Sequence, residues 1–311
     1  MKTYGLIGYP VKHSLSALMH NAAFKELKIE AHYRLFEVAP EDLEDFLLRD
    51  KKIKDSEGES FSVEDLSGFN ITIPHKVRAK EIIERQFPFN NEEKYSLESA
   101  YYVKLSGAIN TVKREEKELL YFNTDTTGFL RSLEQDLKFD PQGKSVMLIG
   151  CGGAGRAVIA ALSWNNIGIQ KIYIHDVNAE ALENARKHFS SLPQAKHLEQ
   201  ILEFLGQQEI ALKIPLCRLL INASPVGMKE GDPSVIEKEL LRKDLSVYDV
   251  VYNRETQLIK DAKSLGRNNS GGLGMLLYQG AAAFELWTGK EAPVEVMRRA
   301  LEEGLKECRK K

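Results

Sequence analysis

Ser145-Val146-Met147-Leu148-Ile149-Gly150-Cys151-Gly152-Gly153-Ala154-Gly155 is the stretch on which the fold of this chain turns. An uncharged, mostly apolar run leads into a glycine cluster, and the helix-forming run Arg156–Leu162 follows. Strands of parallel sheets read this way because crossover helices cover both of their faces. Gly150, Gly152 and Gly155 reproduce the G-x-G-x-x-G spacing in the strand–turn–helix setting that gives the pattern its meaning. The first glycine permits a tight turn, the second lets backbone approach a pyrophosphate, and the third allows helix and strand to pack closely. Free N–H groups across Gly152, Gly153, Ala154 and Gly155 would then favour phosphates together with the helix dipole. A purely structural glycine turn is the bland alternative.

The pattern continues outward. Apolar runs at Lys171–His175, Arg218–Ala223 and Ser246–Val251 alternate with amphipathic stretches, which predicts a Rossmann-type, doubly wound parallel sheet over residues 126–271. Asp176 follows directly on the second strand, twenty-one residues past Gly155, where dinucleotide folds place the acid that bonds the adenosine ribose. A carboxylate within ~4 Å of a 2′-phosphate repels it by about 1 kcal/mol per charge in water-like surroundings, and by about 4 kcal/mol at an effective dielectric of about 20. Asp176 therefore predicts NAD preferred over NADP, unless it serves only to cap the next helix.

Upstream, a strand at Tyr4–Gly8, a helix opening at Ser14 and a strand at Ala31–Val38 place Ser14 and Ser16 at a helix N-terminus. The charged stretch Arg49–Asp65 reads as an exposed insertion, and Phe69–Ile73 as a strand halted by Pro74. Ala108–Lys113 and Leu119–Asn123 read as a hairpin across a charged turn, with a helix from Thr126. Beyond Gly271-Gly272, amphipathic helices at Gly274–Trp287 and Pro293–Lys306 have no strand of their own to cover, so a return to the first domain is expected. The fold class is thus α/β with two domains, residues 1–125 plus 272–311 and residues 126–271. The closing Arg309-Lys310-Lys311 reads as a solvated helix end.

At 311 residues the chain exceeds what one hydrophobic core usually serves. A net charge of −2 removes the electrostatic case for nucleic acid or an anionic membrane and points to small-molecule chemistry. Cys151, Cys217 and Cys308 are scattered without metal-ligand spacing, which predicts no metal site and a reducing compartment. No apolar run approaches the ~18 residues of a membrane span, and Met1–Leu15 lacks the apolar centre of a signal peptide. A cytoplasmic protein is expected.

Several short motifs call for a common explanation. They are Ser14-Leu15-Ser16; Asn70-Ile71-Thr72-Ile73-Pro74-His75-Lys76; Gly107-Ala108-Ile109-Asn110-Thr111-Val112; and Asn123-Thr124-Asp125-Thr126-Thr127-Gly128. Asn222-Ala223-Ser224-Pro225-Val226-Gly227-Met228, Tyr248-Asp249-Val250-Val251-Tyr252-Asn253 and Gly272-Leu273-Gly274-Met275-Leu276 leading to Gln279 complete the series. Together, and in this order over nearly the whole chain, they resemble the shikimate dehydrogenase family.

The resemblance implies a substrate domain made from both chain ends, a Rossmann domain between them, and an active site in the cleft where they meet. It implies Lys76 and Asp125 as the catalytic pair for reversible oxidation of shikimate to 3-dehydroshikimate. Hydride leaves an alcohol carbon only as the hydroxyl proton is managed, which suits an amine beside a carboxylate. Whether Lys76 is the base or a charged donor to the developing alkoxide stays open at this point. By the same carry-over Ser14 and Ser16 hold the substrate carboxylate, Thr72, Asn110 and Gln279 bond ring hydroxyls, and Tyr252 lies near the carboxylate. Ser224 and Gly272 would line the cofactor groove.

The chain also departs from the family pattern. Members that use NADP commonly carry Asn-Arg-Thr after the second Rossmann strand and a basic residue three positions on; here His175-Asp176-Val177 and Glu180 stand there. Acids at both phosphate-holding positions reinforce the expectation of NAD, with NADP as the alternative. Lys51–Asp65, Gln86–Lys104 and Leu192–Pro215 are longer than family habit and are expected as surface elaborations or interface pieces. The neighbouring readings are an NAD-dependent quinate dehydrogenase, a methylenetetrahydrofolate dehydrogenase of similar architecture, and a catalytically idle ligand sensor. A monomer or homodimer acting on a small cyclic acid is expected.

Overall fold

The computed structural model describes residues 1–89, 95–116, 118–164, 167–193 and 195–308. Backbone contacts divide the chain into two compact units, residues 1–128 with 277–311 and residues 129–276.

The first unit opens with β1 (Lys2–Gly8), α1 (Ser16–Glu26) and β2 (Ala31–Glu37), then α2 (Leu43–Leu48), β3 (Ile53–Lys54) and β4 (Ser60–Phe61). It continues with β5 (Gly68–Ile71), α3 (Lys76–Gln86), α4 (Leu97–Ser106), β6 (Thr111–Glu115) and β7 (Glu118–Phe122). Its sheet has the order β2-β1-β5-β6-β7, with β1 parallel to both neighbours and β5, β6 and β7 antiparallel. Ile7, Phe36, Phe69, Ile71 and Val112 bury one face of this sheet against Phe46, Ile82, Ile83 and Val103.

The helix expected at Ser14 begins at Ser16, because Ser14 lies in the turn before it and accepts the Ser16 N–H on its own hydroxyl at 3.3 Å. Arg49–Asp65 is largely exposed, as expected, and is also anchored. Its short hairpin is fastened to β2, where Arg34 pairs with a buried Asp55 and Phe36 makes a bridge to Asp55. Arg34 draws three of the segment's acids, Asp55, Glu57 and Glu59, into one cluster.

The second unit takes up the chain within α5 (Thr124–Gln135) and continues with β8 (Ser145–Ile149), α6 (Gly153–Leu162), β9 (Lys171–His175), α7 (Ala179–Ser190) and α8 (Ala195–Ile201). After these come β10 (Leu202–Phe204), α9 (Ile210–Lys213), β11 (Leu219–Asn222), β12 (Ser246–Asp249), α10 (Gln257–Ser264) and β13 (Asn269–Gly271). The six-stranded sheet is parallel throughout, in the order β10-β9-β8-β11-β12-β13. Counted from β8 as the first strand, this is the 3-2-1-4-5-6 order of doubly wound dinucleotide folds. All five residues of β8 are buried, as an inner strand covered on both faces requires.

Leu192–Pro215 is likewise more than a surface elaboration. It supplies the edge strand β10 and buries Leu202, Leu205, Ile210 and Ile214. Gln86–Lys104 falls partly on residues 90–94, outside the described residues, as does Arg309-Lys310-Lys311.

The last helices, α11 (Leu273–Thr288) and α12 (Val294–Cys308), carry the chain back to the first unit. Trp287 stacks on Tyr4 with ring centroids 4.9 Å apart and donates its indole N–H to the Val112 carbonyl at 2.9 Å. α12 lies on α1 so closely that a Cβ on Gly304 would come within 2.6 Å of the Leu18 side chain. No helix of the described residues is long and apolar enough to cross a membrane, and they hold no cluster of metal-ligating side chains.

Candidate active site

Lys76 enters its site through a break in regular structure. β5 ends at Ile71, Thr72 and Pro74 turn the backbone, and α3 starts with Lys76 in its first turn. His75 before it is buried and bonds the Val38 carbonyl through Nε2 at 2.7 Å; burial lowers its titration below the usual imidazole range, so the ring stays neutral and donates. Lys76 is held from the carbonyl side too, where it accepts the Ile109 N–H at 3.1 Å. The ammonium then reaches Asp125 in the first turn of α5, with Nζ 2.5 Å from Oδ2, both side chains being largely shielded (15% and 7% exposed).

Asp125 is fixed from its other oxygen as well. Asn110 donates from Nδ2 to Asp125 Oδ1 at 2.9 Å and to Gln279 Oε1, contributed by α11, at 3.1 Å. The Asn110 side-chain oxygen in turn accepts the Thr124 N–H at 2.7 Å. An acceptor-only carboxylate between two donors, one of them a cation, is a charge-assisted arrangement of set geometry. Lys76, Asn110, Asp125 and Gln279 are therefore brought together by four separated segments.

Ser14, Ser16 and Thr72 gather at the carboxyl ends of the adjacent parallel strands β1 and β5, the edge where open α/β sheets bind ligands. The Ser14 hydroxyl donates to the Ser16 hydroxyl at 3.2 Å, and Ser16 is buried while Ser14 and Thr72 are half-buried. A Cβ on Gly8 would meet the Thr72 methyl at 2.4 Å, so glycine there is what lets Thr72 come in. Three neutral side chains behind Asn110 escaped the reading of the sequence: Asn70, Thr111 and Thr124, all buried. Their signal lay only in standing beside residues with assigned roles.

The second unit carries the glycine loop. Gly150 has φ of +97°, and a Cβ there would lie 2.6 Å from the Ser224 nitrogen; one on Gly155 would lie 2.1 Å from the Gly150 carbonyl oxygen. Gly152 is different, since a Cβ there would meet nothing within 4 Å. That open space faces the start of α6 at Gly153-Ala154, where no side chain caps the helix. The exposed N–H groups and the unobstructed Gly152 fit a pyrophosphate.

Around this loop, Asn222 accepts the Ser224 N–H at 3.0 Å and the Ser224 hydroxyl at 2.7 Å. Asn222 itself donates to Asp249, fully buried at the end of β12, at 2.9 Å. Asp249 also accepts the Thr256 hydroxyl at 2.6 Å, yet burial outweighs these donors and pushes its titration up to about 6. Gly272 is demanded by packing, because a Cβ would lie 1.9 Å from the Val250 carbonyl oxygen. Tyr252 is half-buried, and its phenol is pushed above the usual range by burial.

Asp176 does not present a bare carboxylate. Its Oδ2 accepts the Cys151 N–H at 2.9 Å and its Oδ1 the Asn178 N–H at 2.9 Å, so it fastens the glycine loop to the end of β9. Glu180 lies exposed in the first turn of α7, where Asn178 caps the helix.

Comparison with known proteins supports the family and the fold and corrects one expectation. Residues 6–88 match the family model for the shikimate dehydrogenase substrate binding domain, and residues 272–302 that for the shikimate 5'-dehydrogenase C-terminal domain. A protein of Methanopyrus kandleri named shikimate dehydrogenase (NADP(+)) is 39% identical over 97% of this chain and 95% of its own. A crystal structure of a shikimate dehydrogenase in complex with NADP+ superposes with a TM-score of 0.77 at 32% identity, covering 98% of this chain and 96% of that one. One from Thermus thermophilus, in complex with NADP(H) and shikimate, gives 0.75 at 29% identity and covers 98% of this chain and 100% of its own. The expected preference for NAD, drawn from Asp176 and Glu180, is overturned by these NADP-linked relatives. The physical reason lies in the loop: each Asp176 oxygen accepts a backbone N–H, so an acid here has a structural task in the loop and does not by itself report the choice of dinucleotide. With motifs, two-unit α/β fold and relatives in agreement, the chain belongs to the shikimate dehydrogenase family, NAD(P)-dependent oxidoreductases.

Proposed function

We propose that this chain interconverts shikimate and 3-dehydroshikimate with NADP(+), in the pathway to aromatic amino acids. The observation that carries the reading is the shielded contact of Lys76 Nζ with Asp125 Oδ2 at 2.5 Å, with Asn110 on the second carboxylate oxygen. Oxidation of a ring alcohol releases a proton as the carbon gives up hydride, and this triad holds a proton at a defined point, on Lys76 Nζ. The ammonium also offers a fixed positive charge to the alcohol oxygen as negative charge develops there. Asp125 sets the direction of the lysine side chain, and Asn110 keeps that carboxylate from turning.

The remaining assignments follow the chemistry of a small polyol acid. Ser14 and Ser16 take the substrate carboxylate with hydroxyl donors. Thr72, Asn110 and Gln279 bond ring hydroxyls, and Tyr252 assists at the carboxylate. The dinucleotide, when bound, supplies the hydride acceptor. Gly150, Gly152, Gly153, Ala154 and Gly155 hold its pyrophosphate by backbone, with Ser224 and Gly272 along the groove. We place the enzyme in the cytoplasm, as a monomer or homodimer, on the strength of its balanced charge and scattered cysteines.

The test is NADP(+) reduction by the purified chain with shikimate or quinate as the alcohol. Turnover of shikimate is expected. No reduction with shikimate would sink the proposal, and faster turnover of quinate would move the substrate.

A further inference from the structure

Behind the Lys76–Asp125 pair runs a file of buried neutral side chains joined by hydrogen bonds. Tyr33 starts it. Its ring is fully buried and stacks on His20 with centroids 4.4 Å apart, and its backbone is clamped by Asn21, which accepts the Tyr33 N–H at 2.8 Å and donates to the Tyr33 carbonyl at 3.0 Å. Burial keeps the phenol protonated, and it donates to Asn70 Oδ1 at 2.7 Å.

That one donor sets the Asn70 amide. With Oδ1 of Asn70 turned to Tyr33, its Nδ2 must face Thr111 Oγ1, at 2.9 Å, and the Asn110 backbone carbonyl, at 3.2 Å. Thr111 Oγ1, now an acceptor on that side, has one proton to give, either directly to Asn110 Oδ1 at 3.2 Å or to Thr124 Oγ1 at 2.9 Å, whose own hydroxyl then donates to Asn110 Oδ1 at 3.2 Å. Either way Asn110 Oδ1 faces donors, a threonine hydroxyl and the Thr124 N–H, and its Nδ2 is left for the acceptors Asp125 Oδ1, Gln279 Oε1 and Thr124 Oγ1. An amide is nearly symmetric in shape, so only such partners decide which end faces a carboxylate.

We propose that Thr111 is a positioning residue of the reaction, aligned by Tyr33 through Asn70, which holds the Asn110 amide with its NH₂ on Asp125 and so keeps the Lys76–Asp125 pair in working register. This rests on the dehydrogenase reading above. Thr111 is fully buried and touches neither Lys76 nor Asp125; it acts through Asn110.

The test compares the full-length wild type with Thr111→Val, Thr111→Ser and Tyr33→Phe in steady-state NADP(+) reduction by shikimate. Thr111→Val keeps the volume and removes the hydroxyl; kcat is expected to fall roughly tenfold with both KM values within about twofold, as for loss of an interaction that matters in the transition state. Thr111→Ser restores the hydroxyl and should bring kcat back to within about twofold of wild type. Tyr33→Phe, at the far end of the file, is expected to lower kcat by about threefold with the same unchanged KM values. A Thr111→Val enzyme with wild-type kcat overturns the proposal, and so does a loss that Thr111→Ser fails to restore or a rise in shikimate KM that matches it. Should Thr111→Val not fold, a wild-type kcat in Tyr33→Phe overturns it alone. A wild type inert toward shikimate defeats the dehydrogenase reading instead, so the two failures are distinct.

Discussion

Lys76, Asn110, Asp125 and Gln279 meet from four segments of the first unit, with Asn110 and Gln279 lying 169 residues apart, whereas Gly150–Gly155 serve the second unit as one contiguous turn. The first unit arranges side-chain atoms; the second clears them away and exposes backbone. A side-chain constellation is vulnerable to loss of a functional group and tolerant in stability. A glycine loop is vulnerable to added volume, and the position of each glycine decides whether the fold or the ligand feels it.

The largest expected effect lies on the side-chain half of this contrast. Lys76→Ala should lower kcat by roughly 10²–10⁴-fold, the range for a lost proton-handling group, while leaving NADP(+) binding, measured by fluorescence titration, within about twofold. A Lys76→Ala enzyme that turns over shikimate normally would break the comparison at its root.

Acid should separate the units further, because their buried ionisable groups respond with opposite sign. In the first unit, burial pushes His20 down to about 3 from 6.5, and neither ring nitrogen has a partner among the described residues. The unfolded chain therefore gains the proton first, and this unit loses stability as pH falls below 6.5, by about 2–3 kcal/mol at about pH 4.5. In the second unit, Asp249 is pushed up to about 6 from 3.8, so the folded form protonates first and its penalty fades as pH falls through 6, a gain of roughly 2 kcal/mol by the same pH. Trp287 lies in the first unit and Trp164 in the second. Urea unfolding of Trp164→Phe and Trp287→Phe proteins, each leaving one indole as reporter, should show midpoints moving in opposite directions between about pH 7 and pH 4.5, down for the first unit and up for the second. His20→Phe should remove the acid loss in the first. Parallel movement would show that the His20 contribution is not as assigned.

The glycine loop supplies the finest discrimination. Gly155→Ala should destabilise the second unit by about 1–3 kcal/mol, since the added carbon runs into the Gly150 carbonyl. Gly152→Ala meets no protein atom and should leave stability within ~0.5 kcal/mol, yet weaken NADP(+) binding about tenfold, the worth of ~1.4 kcal/mol of lost phosphate contact. Thermal melts and nucleotide titrations on the two proteins decide it; equal binding by Gly152→Ala would mean that the space above it is not the phosphate's.

What the sequence revealed follows the same division. β8 and β9 occupy the residues expected of them because an inner parallel strand announces itself by an unbroken apolar run. β10 and β13 escaped notice, being three-residue edge strands whose pairing comes from the neighbouring strand rather than from their own composition. Arg49–Asp65 is exposed as its charge suggested, but its anchor was hidden because charge in a sequence does not show its partner; Arg34, which pairs with Asp55, lies about twenty residues upstream. Asp176 misled for a related reason, as nothing in the order of residues shows that its oxygens face Cys151 and Asn178. Tyr33, Asn70 and Thr111 are neutral residues in strands, and only strand pairing brings them into line.

The return of α11 and α12 to the first unit also bears on how the protein is made. During synthesis residues 1–128 emerge first, and 148 residues of the other unit follow before the closing helices appear. At ~5–20 residues per second that interval is roughly seven to thirty seconds. Throughout it, Tyr4 waits for Trp287 and the outer face of α1, Leu18 included, waits for Gly304. The nascent first unit thus keeps an apolar face uncovered until the closing helices arrive, so its folding is completed only after the other unit has been made.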